Sequence, residues 1–325
     1  MPKPNSKEPH LTAGTQKFVN GLEAAGGPPL YTLTPQQARG VLNKAQSGPV
    51  KLPEVEKEDL EIPAGPNGKT PVRIIRPAKH KGPLPFVLYI HGAGWVMGNK
   101  ETHDRMVCEL ADRSGRAIVY PDYSLSPEAH FPIAIEQSYA TLKYMVENGA
   151  GHSLSADEPI VSGDSVGGNM SLAVALMAKQ RREVAITALV LFYPVTDARM
   201  NTESYEDFAD GPWLTQKAME WFWDAYLPDK SKRSDPLVSP LQASMEELEG
   251  LPPTLIMTGE NDVLRDEGEA MAVRLDEAGV PVTSIRFNGT IHDFAMLNDL
   301  ADTGQARTSI TLAAAAIREA GPTKN

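Results

Sequence analysis

Glu158-Pro159-Ile160-Val161-Ser162-Gly163-Asp164-Ser165-Val166-Gly167-Gly168 is the stretch that decides how the rest of the chain is read. An apolar run feeds straight into Gly163-Asp164-Ser165-Val166-Gly167, and a small-residue helical pattern, Gly168 to Ala178, follows. Glycine two residues before and two after a serine suits a sharp strand-to-helix turn, where a Cβ would meet the neighbouring backbone. The serine hydroxyl then stands clear of the strand ends, at the positive end of the following helix. Five such letters alone also describe an ordinary Gly/Ser turn; the flanking strand and helix favour a nucleophile elbow.

The chain continues this alternation in both directions. Strands are expected at Leu60 to Pro63, Val72 to Arg76, Phe86 to Ile90, Ala117 to Tyr120, Pro159 to Ser162, Ala185 to Tyr193, Thr254 to Thr258 and Val282 to Phe287. Helices are expected near 101–113, 132–147 and 168–180, from Asp266 to Ala278, and near 303–319. Strand and helix in turn imply a parallel sheet covered on both faces, and the unbroken run Phe86-Val87-Leu88-Tyr89-Ile90 suits a strand buried on both sides. Residues 1–55 read as a separate N-terminal helical layer, with 56–325 as the main domain. The interval 197–232 breaks the rhythm. It holds Tyr205, Phe208, Trp213, Trp221, Phe222, Trp223 and Tyr226, including three of the four tryptophans, and reads as an insertion roofing a pocket.

Bulk composition excludes several classes. At 325 residues, 41% hydrophobic and 22% charged, with mean hydropathy −0.29, the chain has the composition of a globular protein and no apolar run long enough for a membrane span. The polar Met1 to His10 lacks the order of a secretory signal, so a cytoplasmic enzyme is expected. A net charge of −11 argues against nucleic acid and anionic membranes as partners. The single cysteine, Cys108, excludes an internal disulfide and a cysteine-based metal cluster, and its helical apolar neighbours mark it as a buried, inert thiol.

A serine nucleophile needs a base, an acid that orients the base, and donors for an oxyanion. His292, the only histidine after Ser165, follows the last strand in the loop Gly289 to Phe294 and is the candidate base. Asp262 follows the strand Thr254 to Met257 and is the candidate acid, with Glu260 as its main rival. Asp266, Glu267 and Glu269 read as helix-start residues, and Asp293 as pointing away from its neighbour His292. His10, His80, His103 and His152 read as surface residues. His91-Gly92-Ala93-Gly94-Trp95 follows the buried strand, and its small residues suit backbone donors: Ala93 and Gly94, with Val166 and Gly92 as further candidates. His91 is assigned to holding that loop in shape. Trp95, Asp164 and Trp213 are candidate pocket residues, and no metal site is read.

Together, His91-Gly92-Ala93-Gly94-Trp95, Gly163 to Gly168, Asp262-Val263-Leu264-Arg265-Asp266-Glu267-Gly268 and His292-Asp293-Phe294 resemble the hormone-sensitive-lipase-like (family IV) carboxylesterases, over roughly residues 60 to 320. Asp122 to Glu128 and Ser239-Pro240-Leu241 are similar to further family motifs. The resemblance implies an α/β-hydrolase fold, a mostly parallel eight-stranded sheet with helices on both faces and a helical cap built from the N-terminal residues and the insertion. It also implies hydrolysis of small-molecule esters without a cofactor, and the family analogy favours a homodimer although no residue compels one. Lactonase, arylformamidase or amidase chemistry could use the same groups, and a receptor relative binds without catalysis. Three positions depart from the family: Ala93 stands for glycine, Ser124 for arginine and Asp293 for glycine.

Overall fold

The computed structural model describes residues 8–320; the reading of the first residues as lacking a leader falls partly on 1–7, outside the described residues. Eight strands form one sheet: β1 (Val55–Ile62), β2 (Thr70–Pro77), β3 (Leu84–Ile90), β4 (Ala117–Pro121), β5 (Leu154–Asp164), β6 (Ala188–Phe192), β7 (Thr254–Asn261) and β8 (Val282–Ile291). Their order is β1-β2-β4-β3-β5-β6-β7-β8; β1 and β2 pair antiparallel, β2 also meets β4 antiparallel, and the rest are parallel. Parallel neighbours end at one edge of the sheet, so loops leaving β3, β5, β7 and β8 gather in one place.

The helices are α1 (Ala13–Ala25), α2 (Pro35–Ala45), α3 (Asp104–Ser114), α4 (Ile133–Asn148), α5 (Val166–Arg181), α6 (Glu203–Asp207), α7 (Gln216–Tyr226), α8 (Met245–Leu248), α9 (Arg265–Glu277) and α10 (Gly304–Glu319). Among the described residues none is long and apolar enough to cross a membrane. In α5 every residue from Val166 to Ala178 is buried. Its run of Gly, Ala, Ser, Leu, Val and Met is therefore a buried-helix composition rather than an amphipathic one. β3 is buried on both faces from Phe86 to Ile90, as its continuous apolar run requires.

The observed elements match the alternation, with differences at their ends. β5 starts at Leu154, because it first pairs Leu154 with Leu84 and then shifts register before Ile160 pairs with Val87. The irregularity coincides with Glu158, at φ 57°, and Pro159. β8 runs on to Ile291, so Gly289 to Ile291 belongs to the strand rather than to the expected loop.

Two segments stand outside the strand-helix alternation. The N-terminal one, with α1 and α2, is tied down by Gln46, whose amide donates to the Thr102 and Met296 carbonyls and accepts from Asn298 N–H. Arg39 of α2 donates to the carbonyls of Val96 and Ser126 and forms a fork on Glu128. The other runs between β6 and β7 and carries α6 and α7, the latter packing near Leu30 to Thr32.

Candidate active site

Ser165, Asp262 and His292 each occupy the position immediately after the end of a parallel strand: β5, β7 and β8 respectively. That shared address brings together residues up to 127 positions apart in the chain. Ser165 Oγ lies 2.9 Å from His292 Nε2, and His292 Nδ1 lies 2.7 Å from Asp262 Oδ2. Asp262 Oδ1 accepts from Leu264 N–H at 3.0 Å, which fixes the carboxylate plane. Glu260 is turned elsewhere and takes the N–H of Gly289 at 2.6 Å.

The elbow is sterically determined. Ser165 sits at φ 54°, ψ −121°, a backbone state that a non-glycine residue adopts only under constraint. A Cβ on Gly163 would lie 2.6 Å from the Ile90 carbonyl oxygen, and one on Gly167 would collide with that same carbonyl. Both glycines are thus forced by the closeness of β3 to the turn.

The loop after β3 leaves the N–H groups of Ala93 and Gly94 without a protein acceptor among the described residues, as is Val166 N–H at the first turn of α5. Ala93 (φ 76°) and Gly94 (φ 68°) line the same cavity as Ser165 and His292. Gly92 departs from its assignment: its N–H is taken by Asp164 Oδ1 at 3.0 Å, so it braces the loop instead of facing the cavity.

Asp164 is likewise not a pocket residue. It is fully buried behind the elbow, where its Oδ1 also accepts from Tyr89 O–H at 2.7 Å and its Oδ2 meets His103 Nε2 at 3.3 Å. Burial alone would raise its pKa, but His103 and Tyr89 outweigh that and hold it below the usual carboxylate range. His103, expected at the surface, is fully buried in this cluster. His91 stacks on Tyr123 with ring centroids 4.2 Å apart, and burial pushes its pKa down to about 3, so it stays neutral and structural as expected. Strand alternation carries a signal for this cluster: Ser162 and Asp164 share one face of β5, away from the serine's path.

Trp95 also differs from its pocket assignment. It is fully buried and stacks on Tyr226 at 4.2 Å with Trp223 at 4.6 Å, so these aromatics of α7 pack α7 onto the β3 loop. Trp213, in contrast, does line the cavity. Its walls come from Leu30, Val41 and Leu42 of the N-terminal segment, Ala93, Gly94 and Met97 of the β3 loop, and Trp213, Leu214, Ala218, Met219 and Phe222 of the insertion. The cavity measures about 180 Å³ and is closed below by Ser165, His292 and Asp293.

Two acidic residues behave differently from expectation. Asp293, at φ 62°, curls back so that Oδ1 lies 3.3 Å from His292 Nε2 while Oδ2 accepts from Trp213 Nε1–H at 2.9 Å. Glu267 is fully buried, accepts from Thr196 N–H at 2.7 Å, and burial drives its pKa well above the usual carboxylate value. It is a core group more than a helix-start charge. For His292, burial opposes the charged form, but Asp262 and Asp293 prevail and lift its pKa to about 9. Burial raises the Cys108 thiol to about 12 and leaves it unreactive. Among the described residues, no group of three or more His, Cys, Asp or Glu is placed to hold a metal ion.

Comparison with known proteins gives a consistent result. A family described as alpha/beta hydrolase fold matches residues 87–296. A putative alpha/beta hydrolase of Acanthamoeba polyphaga mimivirus is 40% identical over 95% of this chain and 88% of its own length. An ethyl acetate hydrolase of Pseudomonas putida is 31% identical over 91% of this chain and 94% of its own. A thermostable esterase from Pseudomonas putida ECU1011 superposes with a TM-score of 0.94 at 44% identity, covering 97% of this chain and 99% of that one.

Proposed function

The chain belongs to the α/β-hydrolase-fold carboxylesterases, in the hormone-sensitive-lipase-like family, and on that premise we propose that it cleaves small, short-chain esters through an acyl-enzyme on Ser165. The single observation that carries the reading is the continuous contact from Ser165 Oγ through the His292 ring to Asp262, opening on one small apolar cavity.

Ser165 Oγ attacks the ester carbonyl as its proton passes to His292 Nε2. Asp262 holds Nδ1–H, fixing the tautomer, and stabilises the cation. The N–H groups of Ala93, Gly94 and Val166 receive the oxyanion, a contribution that typically amounts to about 3 kcal/mol per donor. His292 returns the proton to the departing alcohol. Water, deprotonated by the same ring, then attacks the acyl carbonyl and releases the acid and Ser165. This machinery would be idle in a receptor, and the unbroken contact from Ser165 through His292 to Asp262 favours catalysis.

Within the N-terminal segment, residues 8–55 and the 197–232 insertion act together as a cap, since the cavity walls come from both. A volume of about 180 Å³ lies below the range usual for sites that take drug-sized ligands and supports a preference for short acyl chains. Lactones and arylformamides small enough to enter remain chemically equivalent targets.

Fluorophosphonate labelling with peptide mapping tests the nucleophile. The label is expected on Ser165, absent in Ser165→Ala, and p-nitrophenyl esters are expected to turn over fastest between acetyl and butyryl. A label elsewhere would sink the assignment, and a maximum at decanoyl would sink the short-chain reading.

A further inference from the structure

Asp293 is the one carboxylate among the residues lining the cavity. Its left-handed backbone, φ 62°, is what turns the side chain back over the ring of its own neighbour. Trp213 of the insertion grips one oxygen through its indole N–H at 2.9 Å, and Phe18 of α1 packs against that indole with ring centroids 5.5 Å apart. The other oxygen, Oδ1, is buried, has no hydrogen-bond partner, and lies 3.3 Å from His292 Nε2. A buried carboxylate oxygen left bare is costly unless a donor faces it. The donor within reach is Nε2–H of the protonated ring.

His292 Nε2 therefore has two competing acceptors, Ser165 Oγ at 2.9 Å and Asp293 Oδ1 at 3.3 Å, with Asp262 on the opposite nitrogen. The other groups packed around the ring are few. Tyr193, after β6, presents its ring edge-on at 4.9 Å, and Asp164 lies beyond the elbow after β5. From α7, the β3 loop and the N-terminal segment, the cavity wall contributes no titratable side chain.

We propose that Asp293, clamped by Trp213, is a positioning residue that holds the imidazolium of His292 in the resting enzyme and so sets an alkaline threshold for its release as a free base. This rests on the esterase reading above. Below the threshold, Nε2–H points at Asp293 and cannot accept the serine proton; above it, that proton passes to solvent and Ser165 O–H donates to Nε2. Both carboxylates raise the ring's pKa, in keeping with this arrangement.

The test compares the full-length protein with Asp293→Asn and Asp293→Gly. Asparagine is nearly isosteric and tolerates a left-handed backbone, and glycine suits it outright, so both variants are compatible with the local fold. The acid-limb midpoint of kcat/KM on p-nitrophenyl acetate is expected to fall by about one unit in each variant, with a several-fold gain at pH 7. The His292 imidazole, followed directly by NMR titration, is expected to shift by the same amount. Unchanged midpoints in both variants, or a rise, would overturn the proposal. The NMR reading does not depend on turnover: if no ester were hydrolysed, the functional reading would fail while the effect of Asp293 on the ring was still measured.

Discussion

At the scale of single residues, the assignment of the acid separates two carboxylates that lie two positions apart. Asp262 reaches His292 Nδ1 at 2.7 Å, whereas Glu260 is spent on the N–H of Gly289. With Asp262→Asn, the ring faces an amide that can stabilise the wrong tautomer. By analogy with other Ser-His-Asp sites, kcat is expected to fall about 10⁴-fold. Glu260→Gln keeps an acceptor for Gly289 and should leave kcat within about threefold. Steady-state kinetics on both variants check this, and a reversal of the two effects would move the acid to Glu260. That Ser165, Asp262 and His292 meet in space was legible in the sequence because each follows a recognisable strand, and chain order did the rest. Asp293 was not legible. Adjacent side chains ordinarily diverge, and only its positive φ, which sequence does not display, turns it toward His292.

Among elements, the alternation from β3 to α10 could be read from apolar runs and helical spacing, since a sheet covered on both faces demands such runs. What escaped was how the insertion meets the sheet. Aromatic density between 197 and 232 suggested a roof, yet of its aromatics Trp213 and Phe222 face the cavity, while Trp223 and Tyr226 clamp Trp95 from within the core. Side-chain direction at Trp213 and along α7 decides this, and composition carries no direction. The contact between α7 and the β3 loop is tight enough to test. A Cβ on Gly94 would run into the Phe222 ring, whereas the methyl of Ala93 opens on the cavity and is accommodated. Gly94→Ala is expected to lower kcat/KM more than about tenfold alone and much less in a Phe222→Ala background, a coupling above about 1 kcal/mol. Additive effects in that double-mutant cycle would mean that the backbone strain at φ 68°, not the ring, excludes the methyl group.

For the molecule as a whole, buried titratable groups set folding stability and catalysis at odds in pH. His91, held down to about 3, is neutral in the fold and charged in the unfolded chain below 6.5, so its contribution is lost as pH falls from 6.5 toward 3. Glu267 has its pKa raised well above 4.5 by burial, so stability is lost as pH climbs above that value. Between about 4.5 and 6.5 these two slopes oppose each other. His292, lifted to about 9, contributes fully below 6.5 and loses that contribution as pH rises through 9. That loss is on the order of 3 kcal/mol. It adds to the loss from Glu267, and Asp122 and Asp293, both raised by burial, act in the same direction. Thermal unfolding followed against pH is therefore expected to show its highest Tm at or below about 6.5 and to decline steadily on the alkaline side. On the proposed mechanism catalysis runs the other way, because a base at His292 functions only after it has released its proton, and kcat/KM should climb toward pH 9. The two optima are expected to lie at least about two pH units apart, so the enzyme is most active where its fold has already given up part of its margin. Coincident optima, with Tm and kcat/KM peaking together near neutrality, would show that His292 is not held as a cation in the resting fold.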